Sequence, residues 1–366
     1  MWRVKWALLI IAAAVGCTSG SERREHVITL WHFWSEPAQE LVLDSLLQRF
    51  MREHPGVRVD ATALAWSDGK QKLQMAFNAG TQPDVIHLGL DWFAEFHQAD
   101  VFATCAPLHT DDTLLQGAGR LWVQNCRALL VHPHPPHRFE LGLAVQDPHN
   151  VLKRALPFLW EFGAPDFMMR LPISTTMDNS LVQALRKLRD TVQQWGVAEP
   201  SRQLDDRWLR GEIHYLWSGP WMIPRASALH ATVRPQRSIR NADVLALSRN
   251  AANRIMADSL TQWLAAYQQA RWFCQHVPDA GVPIAEAVWT DSLFRQTHLH
   301  AGFLETLRQS VYLPISPHAL QTEPIIETMI QASLRAATAE EVSRIAAEAR
   351  NKIKKIEQIE SGGRFQ

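Results

Sequence analysis

Val27-Ile28-Thr29-Leu30, running into Trp31-His32-Phe33-Trp34-Ser35-Glu36-Pro37, opens the pattern that decides the fold. A short β-rich run ends in a loop, and Ala38 to His54 then carries Leu41, Leu43, Leu46, Leu47 and Phe50 at helical spacing. Pro55-Gly56 ends that helix. Val57 to Ala61 alternates like a second strand. Trp66-Ser67-Asp68-Gly69 forms a loop that opens a helix through Lys72 to Ala79. Asp84 to Leu88 is a third strand, followed by Gly89-Leu90-Asp91-Trp92 and another helix. The order β-α-β-α-β-α predicts a parallel sheet covered on both faces. Ligands of such sheets sit beyond the carboxyl ends of the strands. Trp34, Trp66, Asp68, Asp91 and Trp92 all fall in those loops.

Outward from this core the chain stays α/β. Leu121 to Val131 reads as one strand leaving the first domain, and His132-Pro133-His134-Pro135-Pro136-His137 after it cannot be helical. Val151–Glu161 and Asn179–Gln194 are helical, Glu212–Trp217 and Val244–Leu247 are strands, and Ile255–His276 reads as one long amphipathic helix. Ala339–Ile356 is a charged terminal helix.

Length and composition bound the function. A chain of 366 residues has two domains as its natural expectation. Lys+Arg and Asp+Glu are 37 each, so the basic surplus of a nucleic-acid binder is absent. Fifteen Trp against three Tyr favour flat apolar faces that can stack on sugar rings. The sixteen His and the His132/His134/His137 cluster raise a metal reading, but the intervening prolines splay the imidazoles. No nucleophile elbow, His-Glu-x-x-His or phosphate loop points to an enzyme, and no cofactor is implied.

The first residues set the compartment. Met1 to Lys5 carries positive charge, and Trp6 to Val15 is apolar but short of the ~20 residues of a membrane span. Ala14-Val15-Gly16-Cys17 resembles a bacterial lipobox, with residues 1–16 as signal peptide, Cys17 as the lipidated residue and a tether to residue 26. The remaining cysteines, Cys105, Cys126 and Cys274, allow at most one disulfide.

Several phrases in order resemble the family 1 extracellular solute-binding proteins of ABC importers, the cluster around maltose-binding protein. They are Leu30-Trp31-His32-Phe33-Trp34-Ser35, Trp66 to Gln74, Gly80-Thr81-Gln82-Pro83-Asp84-Val85, Gly89 to Phe93, Trp122 to Leu129, Ser218-Gly219-Pro220-Trp221 and Gln269 to Trp272. The resemblance implies a two-lobed periplasmic-binding-protein fold, each lobe a mainly parallel sheet flanked by helices and joined by a multi-strand hinge. It implies lobe 1 at residues 27–125 plus 243–284 and lobe 2 at 126–242 plus 285–366. Chain crossings are expected near Gln124–Arg127, Ser238–Asp243 and Pro283–Ala285.

It further implies a monomeric carrier that takes a carbohydrate to ABC permease subunits, touching the membrane only through its lipid. Trp34, Trp66, Trp92 and Trp221 are then stacking candidates, with Asp68 and Asp91 as hydroxyl acceptors and Arg127 beside the cleft. Where relatives carry an acid this chain has Asn125, and where they carry a Gly pair it has Arg240. After Val131 a helical hairpin of the relatives is missing. Arg127 with Arg240 leaves an anionic or phosphorylated solute, or another non-sugar such as a polyamine, as the alternative cargo.

Overall fold

The computed structural model describes residues 26–134, 139–147, 150–316 and 318–362. The expected signal peptide, Cys17, most of the tether and His137 lie outside the described residues. Eleven strands are described: β1 (His26–His32), β2 (Val57–Ala63), β3 (Val85–Gly89), β4 (Arg120–Cys126), β5 (Ala128–Val131), β6 (Phe139–Leu143), β7 (Gly196–Ala198), β8 (Ile213–Ser218), β9 (Thr232–Arg234), β10 (Arg240–Leu247) and β11 (Val282–Pro283). They form two sheets, β11-β4-β10-β3-β1-β2 and β7-β6-β8-β5-β9.

Both sheets are mixed. In the first, β1 pairs in parallel with β2 and β3, while β10 is antiparallel to β3 and to β4. In the second, β6 is parallel to β7 and β8, while β5 is antiparallel to β8 and β9. β11 is antiparallel to β4 as well, and two of the strands that break direction, β5 and β10, share a cause. β5 arrives from the first sheet across Arg127, and β10 arrives from the second. Each crossing strand enters its new sheet against the direction of its neighbours.

The run Leu121–Val131 is therefore two strands in two sheets, not one. The expected long helix is also two, Arg254–Ala265 and Tyr267–His276, broken at Ala266 with extended backbone. The break aims each half at its own partner. Asp258 of the first half holds the buried Arg120 of β4 at 2.6 Å, and Phe273 of the second packs on Trp34 and Trp122.

The first sheet is covered on one face by helices Gly69–Ala79 and Leu90–Gln98, around Phe33, Leu73, Leu88 and Phe93. Helix Pro37–Glu53 and the two halves just described cover the other face. Helices Val151–Glu161, Asn179–Trp195, Ala319–Arg335 and Ala339–Gly362 pack into the core of the second sheet. β5 ends at Val131 and β6 begins at Phe139, with no helix between them among the described residues.

The last crossing is longer than the expected Pro283–Ala285. After β11, helix His298–Gln309 packs on both β9 and β4, with Gly302 against Val233. Val311 then lies beside the β10 crossing: its N–H donates to Ser238 O at 3.0 Å and its carbonyl accepts from Arg240 N at 2.8 Å. One apolar cluster contains Leu30 and Phe50 of the first lobe, Trp208 and Leu216 of the second, and Phe303 and Leu307 of helix His298–Gln309.

Candidate functional site

The ends of β1, β2 and β3 meet around a buried imidazole. Phe33 N–H donates to His87 Nδ1 at 3.0 Å, so the ring proton sits on Nε2, 2.9 Å from Asp243 Oδ2 on β10. This bond fixes the loop after β1 against β3. Next to it, burial and the neighbouring His87 push the His32 imidazole down to about 4, so His32 is a neutral core residue.

Four of the predicted residues gather here, in two different roles. Trp34 is only 7 % exposed, stacked on His87 at 5.7 Å and edge-on to Phe273. Trp92 is 6 % exposed and meets Phe33 edge-on. Neither leaves a face for a ring, because the aromatic cluster that supports the site uses both. Trp66 is different. It is 45 % exposed, lies over Phe33 at 4.6 Å and touches Trp92 at 5.1 Å. Its tip and the Asp91 carboxylate flank Gly89: a Cβ there would meet Asp91 Oδ1 at 2.5 Å and the Trp66 ring at 3.8 Å. Gly89 lets the platform and the acid stand side by side.

Asp91 is already engaged across the cleft. Lys153, on the first turn of helix Val151–Glu161 of the second lobe, holds Asp91 Oδ2 at 2.5 Å. Burial works to raise the Asp91 carboxyl, but Lys153, by charge and hydrogen bond, outweighs it and holds the group below its ordinary value. Glu323, from helix Ala319–Arg335, shares the cavity with this pair. Burial pushes its carboxyl up to about 7, with Asp91 adding to the shift and Lys153 opposing it.

A second group faces the cleft from lobe 2. Trp221 follows β8, and its indole packs directly on Gly219, where a Cβ would come within 1.9 Å of the ring. Trp221 Nε1–H donates to Asp205 Oδ2 at 2.9 Å, and Arg127 and Arg154 lie 5.7 and 5.6 Å from the ring centre. Arg127 Nη2 donates to Asn150 Oδ1 at 2.8 Å. Burial first, then the neighbouring Arg154, pulls the Arg127 guanidinium down to about 9, so it still carries its charge at neutral pH. Arg154 is buried, donating to Trp217 O and to Ser201 Oγ.

The remaining predicted residues, Asp68, Arg240 and Asn125, make no ring contact with the Trp66 or the Trp221 indole. Asp68 occupies the N-cap position without a cap bond and pairs instead with Lys72 of its own helix at 3.0 Å. Arg240 does not enter the Trp221 region. It lines the cavity that holds Asp91, Lys153 and Glu323, where it lies over Tyr312, donates to Leu307 O at 3.1 Å and faces Asp111 at 3.6 Å. Asn125 lines a separate cavity beside β11. Cys105, Cys126 and Cys274 are all free thiols. His132 Nδ1 and the backbone of His134 lie within hydrogen-bonding distance, at 3.0 Å from its carbonyl. Among the described residues no group of His, Cys, Asp or Glu is arranged to hold a metal ion.

Sequence reasoning missed Lys153, Asp205, Glu323 and His87. Lys153 and Asp205 sit on amphipathic helices where a charge reads as solvent-facing; Lys153 finds its partner on the other lobe, and Asp205 is turned inward by Ser218 and Trp221 of its own lobe. His87 carried a usable signal, an imidazole amid the apolar run Val85-Ile86-His87-Leu88.

Residues 34–123 match the family model described as bacterial extracellular solute-binding protein. No curated protein sequence matches the chain. Among solved structures, the sugar-binding protein MalE from Xanthomonas citri is similar at TM-score 0.74 and 15 % identity, covering 92 % of this chain and 99 % of that one. An ABC substrate-binding protein from Listeria monocytogenes, solved with cycloalternan, is similar at 0.72 and 15 %, covering 91 % and 99 %. The maltotriose-binding protein of Thermus thermophilus is similar at 0.71 and 15 %, covering 90 % and 99 %. At these identities the likeness establishes the fold. Over residues 34–123 the chain carries the sequence pattern of the bacterial extracellular solute-binding proteins, and over nine-tenths of its length it has the two-lobed fold of these ABC-transporter and sugar-binding relatives.

Proposed function

We propose that the chain captures a sugar or oligosaccharide between two lobes, residues 27–125 with 243–284 and 126–242 with 285–366, and delivers it unchanged to the permease of an ABC importer. The observation that carries this reading is the half-exposed Trp66 indole beside the Asp91 carboxylate, facing Lys153 of the other lobe. A sugar ring offers a face of C–H groups and a rim of hydroxyls. The indole suits the first, and a carboxylate opposite an ammonium suits the second, accepting from and donating to hydroxyls. Because Asp91 and Lys153 belong to different lobes, a solute held by both favours the closed arrangement, which is what couples capture to closure.

The protein works outside the cytoplasm as a monomer, tethered through a lipid on Cys17. Native mass spectrometry of the gently purified protein, followed by denaturation, tests the reading: a released neutral saccharide supports it. An anionic solute released in its place favours the second reading, which Arg127 motivates, since among the described residues that guanidinium has an amide and an indole beside it but no carboxylate within ion-pair distance.

A further inference from the structure

On the far side of the β4–β10 ladder from the Asp91 cavity lies a chamber of about 270 Å³. Its walls come from the hinge strands β4 and β11, from helix His298–Gln309, and from Pro220 and Ile223 of the second lobe. The volume lies just under the ~300–1,000 Å³ usual for small-molecule sites. No Asp, Glu, Lys or Arg lines it, whereas the Asp91 cavity and the cleft beside Trp221 carry charges of both signs. Its titratable groups are neutral as well. Burial pushes the Cys126 thiol up to about 12 and raises Cys274, and it lowers the His300 imidazole.

The polar lining is made of four amides and the His300 imidazole. Half-buried Asn125 and, at the exposed rim, Gln275 and Gln296 make no side-chain hydrogen bond among the described residues, and Gln124 spends its Nε2–H on Pro283 O at 3.2 Å. An amide both donates and accepts, so three uncommitted amides can match hydroxyl groups without regard to their orientation. Phe294, Phe303 and Leu304 supply the apolar wall. Gly281, at φ +80°, brings its loop directly onto β4, where a Cβ would meet Gln124 O at 2.3 Å.

We propose that this chamber is a second binding site, distinct from the Trp66–Asp91 cleft, for an uncharged sugar-sized ring. Its lining spans both lobes and the hinge strands, so an occupant there touches the elements that move when the lobes close. A charged ring of the same size is excluded, because no counter-charge meets it.

Calorimetric titration of the mature chain with methyl α-glucopyranoside, glucuronate and glucosamine tests this. The wild type is expected to show two binding events with the neutral glycoside and none in the chamber with the charged rings. Leu304→Trp fills the chamber and removes one event while leaving the cleft event. Asn125→Asp, which adds charge without bulk, weakens that same event by about tenfold and covers the case in which the larger side chain disturbs folding. Two events surviving in both variants, or a single event in the wild type that neither variant touches, overturns the second site and leaves the cleft reading standing. No event with any neutral saccharide overturns both.

Discussion

Lys153 Nζ and Asp91 Oδ2 stand 2.5 Å apart, and the two side chains come from opposite lobes of the molecule. Both are partly screened, with side chains 19 % and 32 % exposed. A pair of this kind contributes about 0.5–1 kcal/mol. Either Lys153→Ala or Asp91→Asn should therefore lower the closed-to-open ratio of the ligand-free protein by about two- to fivefold. Spin labels on the two lobes, read by pulsed electron resonance, check this; an unchanged distance distribution contradicts it.

Glu323 gives the stability a pH dependence of known sign. Its folded carboxyl lies near 7, above the ordinary 4.5, so between those values the folded state holds a proton that the unfolded chain has lost. Its contribution is complete below the ordinary value and is lost as pH rises through 7. Asp91 has the opposite sign, since its depressed carboxyl contributes above 3.8 and loses that contribution as pH falls. Glu323→Gln should flatten the alkaline limb of a melting-temperature profile between about pH 5 and about pH 8. An unaltered limb assigns it to other groups.

Gly219 is the position where Trp221 leaves no room for a side chain. Gly219→Ala should cost about 1–3 kcal/mol through overpacking and turn the indole away from Asp205. Denaturant unfolding measures the first effect, and Trp221→Ala made in parallel separates it from loss of the indole. Equal stability of Gly219→Ala and wild type contradicts the packing.

Arg120 tests the reason the long helix breaks. Its guanidinium is buried under the first half and donates to Asp258 and Thr261, each at 2.6 Å. Removing Asp258 strands that charge, so Asp258→Ala should destabilise the chain by about 3 kcal/mol or more. Arg120→Met with Asp258→Leu should recover most of it. Chemical unfolding of the three proteins decides the point.

The first lobe was largely legible because its order is local. Runs of four or five apolar residues, Pro55-Gly56 and the post-strand tryptophans each report on a neighbour in sequence. The crossing near Gln124–Arg127 came only with the family resemblance and not from the local pattern, which reads Leu121–Val131 as one strand. Nothing in Asn125-Cys126-Arg127-Ala128 says that Cys126 ends one sheet and Ala128 begins another, since both halves are equally apolar. The site was half legible for the same reason. Asp91 was placed by the strand before it, but its partner Lys153 is 62 residues away on another lobe. The tryptophans were found but not ranked: Trp34 is buried against His87 and Phe273 and Trp92 against Phe33, while Trp66 faces out.

The most direct test of capture at the Trp66–Asp91 cleft is titration of wild-type and Trp66→Ala protein with a panel of neutral saccharides. Truncating a central aromatic contact costs about 2 kcal/mol, so at least one saccharide should bind the wild type and bind Trp66→Ala about thirtyfold more weakly. Equal affinities for both proteins, or no binding to the wild type by any saccharide in the panel, would contradict it.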